Sequence, residues 1–186
     1  TRGGRLLLPV ARAVGNFEGD RDESLVFYSD DAGKTWQRSE PAPLPEAPRG
    51  MAEPCVVELI DGRLLMMARG GLGVLLASHS EDGGKTWSRG SPTTLTSPLS
   101  SFTLRRLPDE RLIVFYNHAA ASEPGGAFPR CPLAYAVSAD EGATWSTPYI
   151  IDAEGLKPTS GELPDMAHVY PGITFLKEGM LVLYSS

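Results

Sequence analysis

A carboxylate, two guanidiniums and a phenol stand where they can do chemistry together in this 186-residue chain: Glu53, Arg69, Arg130 and Tyr170, separated by 16, 61 and 40 residues. A glutamate within reach of a tyrosine hydroxyl can take its proton and make the phenol a nucleophile, which an unperturbed pKa of about 10 does not permit at neutral pH. Two arginines beside such a pair can grip a carboxylate bidentately and stay charged at any working pH. The set fits an anionic sugar. Each residue alone has a plainer use: Glu53, before Pro54, can cap the start of a strand, the arginines can pair with surface carboxylates, and Tyr170 can be one more packed aromatic. What favours chemistry is that the scaffold written into the rest of the sequence puts all four on one rim.

That scaffold is announced by three copies of Ser-x-Asp-x-Gly-x-Thr-Trp, at Ser29 to Trp36, Ser80 to Trp87 and Ser138 to Trp145. Their central aspartates are 51 and 58 residues apart, a period suited to the four short strands of a propeller blade. The Asp can turn back onto nearby backbone N–H groups, the Gly can take the positive φ of a tight turn, and the Trp can pack between neighbouring sheets. The box therefore reads as a folding device rather than a metal or catalytic motif.

Between the boxes the strands fall into place. In the second repeat, Ala52 to Leu59, Arg63 to Ala68, Val74 to His79 and a run after Trp87 read as strands A to D. The third repeat matches with Ser101 to Leu107, Arg111 to Tyr116, Leu133 to Val137 and Pro148 to Ile151, its B to C connection swelling over Asn117 through Pro132. The first offers B at Arg5 to Val10 and C at Ser24 to Tyr28, and the last only A at Tyr170 to Leu176 and B at Met180 to Tyr184. The expected organisation is one partial all-β propeller over 1–186, with a partial blade at 1–45, blades at 50–97 and 99–153, and a partial blade at 166–186. If the strands are antiparallel, the start of A, the B to C loop and the end of D share one rim, and the boxes share the other. Glu53, Arg69, Arg130 and Tyr170 are expected on the first rim, with Asp31, Asp82 and Asp140 on the second.

Composition narrows the partners. A net charge of −6, a pI near 5.1 and scattered Lys and Arg leave no basic footprint for nucleic acid, and no apolar run is long enough for a membrane-spanning helix. Cys55 and Cys131 are too few for a disulfide framework and lack metal-ligand spacing, which favours small buried residues. His118 shares the rim with Asn117 but has no metal partner in sight, and His79 and His168 flank strand ends without a motif. No initiating Met or signal pattern is visible at Thr1 and the apolar run at Met180 to Ser186 breaks off, so the chain is expected to be a piece of a larger propeller, needing its missing blades to close. A ring closes with about 4 to 8 blades.

The three boxes, the segment from Glu53-Pro54-Cys55 to Met67-Ala68-Arg69, the step Arg130-Cys131-Pro132-Leu133 and Tyr170-Pro171-Gly172-Ile173-Thr174 together resemble the C-terminal half of a bacterial exo-α-sialidase with BNR repeats. The resemblance implies a six-bladed propeller when complete and a retaining glycoside hydrolase that removes a terminal sialic acid or a related anionic sugar. Tyr170 is then the nucleophile and Glu53 its base, Arg69 and Arg130 belong to an arginine triad, no cofactor is needed, and the setting is secreted or periplasmic. A tyrosine nucleophile is the known exception to the paired-carboxylate rule for glycosidases. The chain departs from the family in three respects. The Arg of a Phe-Arg-Ile-Pro motif and the Asp general acid of a first blade do not occur, and Tyr170 is followed by Pro-Gly where Ser is common. Asp20 and Asp22, one blade before Glu53, read as a solvated acidic loop rather than as that acid. The chain alone is therefore expected to be inactive. Two other functions compete: a non-catalytic propeller binding glycan or protein through the same rim, and a different carbohydrate-active enzyme acting on acidic polysaccharide.

Overall fold

The computed structural model describes residues 1–15, 21–47, 49–122, 125–153 and 167–185. Among the described residues there is no helix, and the strands form four antiparallel sheets. The first sheet holds β1 (Leu6–Val14), β2 (Arg21–Ser29) and β3 (Gln37–Arg38). The second holds β4 (Ala52–Glu58), β5 (Leu64–Arg69), β6 (Val74–Ser80) and β7 (Ser91–Thr96). The third holds β8 (Thr103–Arg106), β9 (Leu112–Asn117), β10 (Leu133–Ser138) and β11 (Tyr149–Asp152), and the fourth is the hairpin of β12 (Val169–Leu176) and β13 (Gly179–Ser185). Strands adjacent in sequence are adjacent in each sheet, the meander of a propeller blade.

The second sheet explains why its strands read as unbroken apolar runs. Along Leu64-Leu65-Met66-Met67-Ala68, alternate side chains enter two different cores. Leu64, Met66 and Ala68 pack with Val26, Met51, Leu76 and Trp87 against the first sheet. Leu65 and Met67 pack with Leu104, Leu112, Val114 and Tyr116 against the third. A strand buried on both faces loses the polar alternation of a one-sided sheet.

The boxes are built alike. In the second, Gly84 N–H donates to Ser80 Oγ at 2.8 Å, Ser80 Oγ donates to Asp82 Oδ1 at 2.8 Å, and Asp82 accepts from Thr86 N–H at 3.0 Å and Thr86 Oγ1 at 2.7 Å. The serine and glycine bonds recur at 2.8 Å around Ser29 and Ser138. Ser80 and Ser138 pair with Leu64 and Leu112, at the ends of β5 and β9 opposite Arg69 and Asn117. Trp87 and Trp145 pack into the cores with the preceding sheet, whereas Trp36, on a sheet with one neighbour, is 43% exposed.

Two readings of the first sheet need correction. The strands β1 and β2 are longer than their apolar runs, because Ala11 to Val14 continue the ladder opposite Ser24 to Arg21. Asp22 therefore lies in a strand rather than in a solvated loop, its N–H donating to Arg49 carbonyl at 3.0 Å and its carbonyl accepting from Met51 N–H at 2.8 Å. Asp20 lies outside the described residues.

Candidate active site

The strand starts opposite the boxes share one construction. Cys55, Thr103 and Gly172 pair with Met67, Phe115 and Leu183. Two residues upstream of each stand Glu53, Ser101 and Tyr170, and two residues beyond each partner stand Arg69, Asn117 and Ser185. These are the same two blade positions in three successive sheets. Both β4 and β12 break register there, between Ala52 and Cys55 and between Val169 and Gly172. Glu53 and Tyr170 carry φ values of 47° and 51°, in the left-handed region that non-glycine residues seldom enter.

In the second sheet this pair of positions is an ion pair. Arg69 Nη2 lies 2.9 Å from Glu53 Oε1, with the arginine the more buried of the two. Arg69 Nη1 also donates to Leu99 carbonyl at 3.4 Å, and its Nε is buried without a partner among the described residues. The arginine is thus held from the connection between β7 and β8 as well as from its own sheet.

Glu53 and Tyr170 line one cleft of about 480 Å³ together with Pro9, Cys55, Ser101 and Phe102. Tyr170 is 65% exposed, so its ring is presented rather than packed. Cys55 lies at the same wall near Phe102 carbonyl, at 3.9 Å, and burial pushes its thiol up, away from the thiolate a nucleophile needs. A larger groove, about 700 Å³, separates the third sheet from the fourth, but Phe115, Tyr135, Val137, Tyr149 and Met180 make it an apolar seam without a carboxylate.

Arg130 is placed differently. Its guanidinium donates through Nε to Ala127 carbonyl at 3.1 Å and lies 5.2 Å over the Phe128 ring, and it does not line the cleft. Its backbone, however, is tied to the site: Arg130 carbonyl accepts from His168 N–H at 2.9 Å and from Asn117 Nδ2 at 2.8 Å. Leu99, which accepts from Arg69, donates its own N–H to Gly126 carbonyl at 2.8 Å. The long loop is therefore stitched to both the second-sheet arginine and the segment leading to Tyr170.

Ser101, Asn117 and His168 were not singled out as site residues by the sequence reading. Tyr170 N–H donates to Ser101 Oγ at 2.7 Å, and Asn117 Nδ2 donates to His168 carbonyl at 3.1 Å. His168 is fully buried, edge-on to Tyr184 at 5.4 Å, with Nε2 3.7 Å from Asp152 Oδ1. Superposing the repeats on their first strands exposes Ser101 as the counterpart of Glu53, whereas no pattern marks His168.

Face-to-face meanders with a box turn on one rim and a carboxylate, a guanidinium and a phenol on the other define part of a β-propeller of the sialidase type. The chain belongs to the BNR repeat-like domain family, whose sequence model matches residues 1–183. It is 28% identical over 179 residues to a sialidase of Micromonospora viridifaciens, covering 87% of this chain and 25% of that protein. Among solved structures it matches a Dyadobacter fermentans protein of unknown function (TM-score 0.74, 23% identity, 99% of this chain and 46% of the other). It also matches the leech intramolecular trans-sialidase complexed with 2,7-anhydro-Neu5Ac (TM-score 0.67, 23% identity, 97% and 26%). The chain thus spans about a quarter of the Micromonospora sialidase and under half of the Dyadobacter protein.

Proposed function

We propose that these residues form one part of the active site of a sialidase-like retaining glycoside hydrolase acting on a terminal sialic acid or a related anionic sugar. The observation that carries the reading is the shared cleft of Glu53 and Tyr170, with Arg69 paired to Glu53. In the first step the Tyr170 oxygen bonds to the anomeric carbon, the glycosidic C–O bond breaks, and the phenolic proton passes to Glu53. The leaving oxygen takes its proton from an acid that none of the four residues supplies. In the second step water replaces the phenolate at the anomeric carbon and gives up a proton to the conjugate base of that same acid, while Glu53 returns its proton to Tyr170. Arg69 and Arg130 hold the sugar carboxylate, which for Arg130 requires leaving Ala127 and Phe128. A neutral phenol approaches an anionic sugar with less repulsion than a second carboxylate does, the physical reason for a tyrosine here.

The competing reading, a rim that binds acidic glycan without turnover, draws on the position of Arg130 outside the cleft. Hydrolysis of a fluorogenic sialoside by the full-length protein separates the two. Turnover that falls about 10²- to 10⁴-fold in Glu53→Gln is the expected result, the range for losing one positioned acid–base group. Binding of the sialoside without turnover supports the competing reading.

A further inference from the structure

In the second sheet the two rim positions, Glu53 and Arg69, are charged and paired with each other, and Glu53 lines the cleft. In the third sheet the same positions, Ser101 and Asn117, are neutral, 3% and 0% exposed, and bond to Tyr170, the residue His168 just before β12, and the Arg130 loop. Ser101 Oγ accepts Tyr170 N–H at 2.7 Å. Asn117 Nδ2 bridges Arg130 carbonyl at 2.8 Å and His168 carbonyl at 3.1 Å. With the His168 N–H to Arg130 bond at 2.9 Å, the backbone of 168–170 is fixed at both ends by the third sheet. Tyr170 sits in this grip with φ at 51°, a conformation that persists for a non-glycine residue only where its surroundings over-determine it.

We infer that Ser101 and Asn117 are positioning residues: together they hold the Tyr170 backbone in its left-handed conformation, aim its hydroxyl along the cleft, and lock the Arg130 loop to the same frame. The inference rests on the proposed role of Tyr170. Neither residue need touch substrate. Ser101 lines the same cleft as Glu53 and Tyr170, and its hydroxyl holds the Tyr170 backbone from within that wall. A peptide plane released at Tyr170 is free to relax toward negative φ, which swings the phenol away from Glu53. Proton transfer and in-line attack depend on sub-ångström placement, whereas sugar binding through the arginines does not, so the loss should fall on kcat rather than KM.

The test uses the full-length protein, a fluorogenic sialoside, and thermal unfolding to verify the folded fraction. Ser101→Ala is expected to lower kcat about 10- to 100-fold with KM within about twofold of the parent, the scale of a small misplacement of a reacting group. Ser101→Thr, which keeps the oxygen, should recover most of that loss. Asn117→Asp removes both N–H donors at constant size and should lower kcat likewise, with a rise in KM as well because the Arg130 loop is also released. If Ser101→Ala does not fold, Ser101→Cys carries the test, since a thiol of similar size accepts hydrogen bonds weakly. A parental kcat in a folded Ser101→Ala or Ser101→Cys, or a Ser101→Thr no better than alanine, overturns the inference while leaving the proposed function standing. A parent that turns over no sialoside overturns both.

Discussion

Glu53 and Tyr170 are counterparts two sheets apart: each sits two residues before the paired residue of its first strand, each has a positive φ, 47° and 51°, and each is followed by proline. A proline has no N–H for the ladder, and a register shift re-aims the preceding side chain, so one local device turns an acid and a phenol toward the same cleft. Left-handed conformations in non-glycine residues cost about 1–3 kcal/mol.

That cost gives the first prediction. Tyr170 is 65% exposed and its side chain contributes little packing, so Tyr170→Gly relieves strain without opening a core. Its unfolding free energy in urea should match or exceed that of the parent by up to about 1 kcal/mol, while sialoside turnover is lost. A loss of more than about 1 kcal/mol means that the tyrosine is structural.

How much of this was legible in the sequence varies by residue. The boxes could be read because Ser80, Asp82, Gly84 and Thr86 satisfy one another within a few residues. The two cores could be read because β5 is apolar at every position but its last. The shared rim of Glu53 and Arg69 followed from blade parity, since the first strand begins where the second ends, whereas their ion pair did not. Ser101 and Asn117 were hidden because their partners lie 69 and 51 residues away, and serine and asparagine carry no periodicity of their own. The Arg130 guanidinium depends on a loop whose path is fixed by backbone bonds to Leu99 and His168, which no local pattern encodes. Asp22 was misplaced for a related reason: Ala11 to Val14 extend β1 through pairing rather than hydrophobicity.

The boxes carry an acid dependence. Hydrogen bonds from Thr35, then Ser29, hold Asp31 at about 2 rather than 3.8. At Asp82 burial pushes the carboxyl up, but bonds from Thr86, Ser80 and Lys85 outweigh it and hold it at about 2 as well. The folded values lie below the unfolded ones, so the unfolded chain binds more protons between them. The stabilisation is therefore fully present above about pH 5 and is lost as pH falls through about 4 to 2. The thermal midpoint should drop over that window, and in Asp82→Asn the drop should be smaller because one titrating group is gone. An unchanged acid profile in Asp82→Asn would show that the box carboxylates do not set it.

Gly50 seals the junction between the first two sheets. It bridges Asp22 with φ at 68°, and a Cβ built there overlaps the Asp22 carbonyl oxygen. Backbone has no rotamer by which to give way, so Gly50→Ala must part β2 from the segment entering β4. A loss of about 2–4 kcal/mol is expected in chemical denaturation, with the Met51 N–H to Asp22 bond exchanging faster. Gly62→Ala is the control: its φ of 88° brings the same conformational strain, but its Cβ meets nothing within 4 Å, so its loss should be smaller.

The last prediction separates the phenol from the arginine in the full-length protein. Tyr170→Phe removes one oxygen from an exposed ring and leaves the Ser101 bond to its backbone intact. On the proposed mechanism turnover should fall by at least about 10²-fold while affinity for an unreactive sialic acid analogue stays near the parental value, because only the proposed nucleophilic oxygen is gone. Arg130→Ala should do the reverse in binding, weakening carboxylate-bearing sugars by about 2–5 kcal/mol, the range for truncating one member of a desolvated charge pair. Its loop should survive, since Arg130 holds Asn117 and His168 through its carbonyl and not its side chain. Titration calorimetry with the acid and its methyl ester discriminates: a neutral ester should bind parent and Arg130→Ala alike. If Arg130→Ala binds the acid as tightly as the parent, the guanidinium stays on Ala127 and Phe128 and the carboxylate is held by other groups.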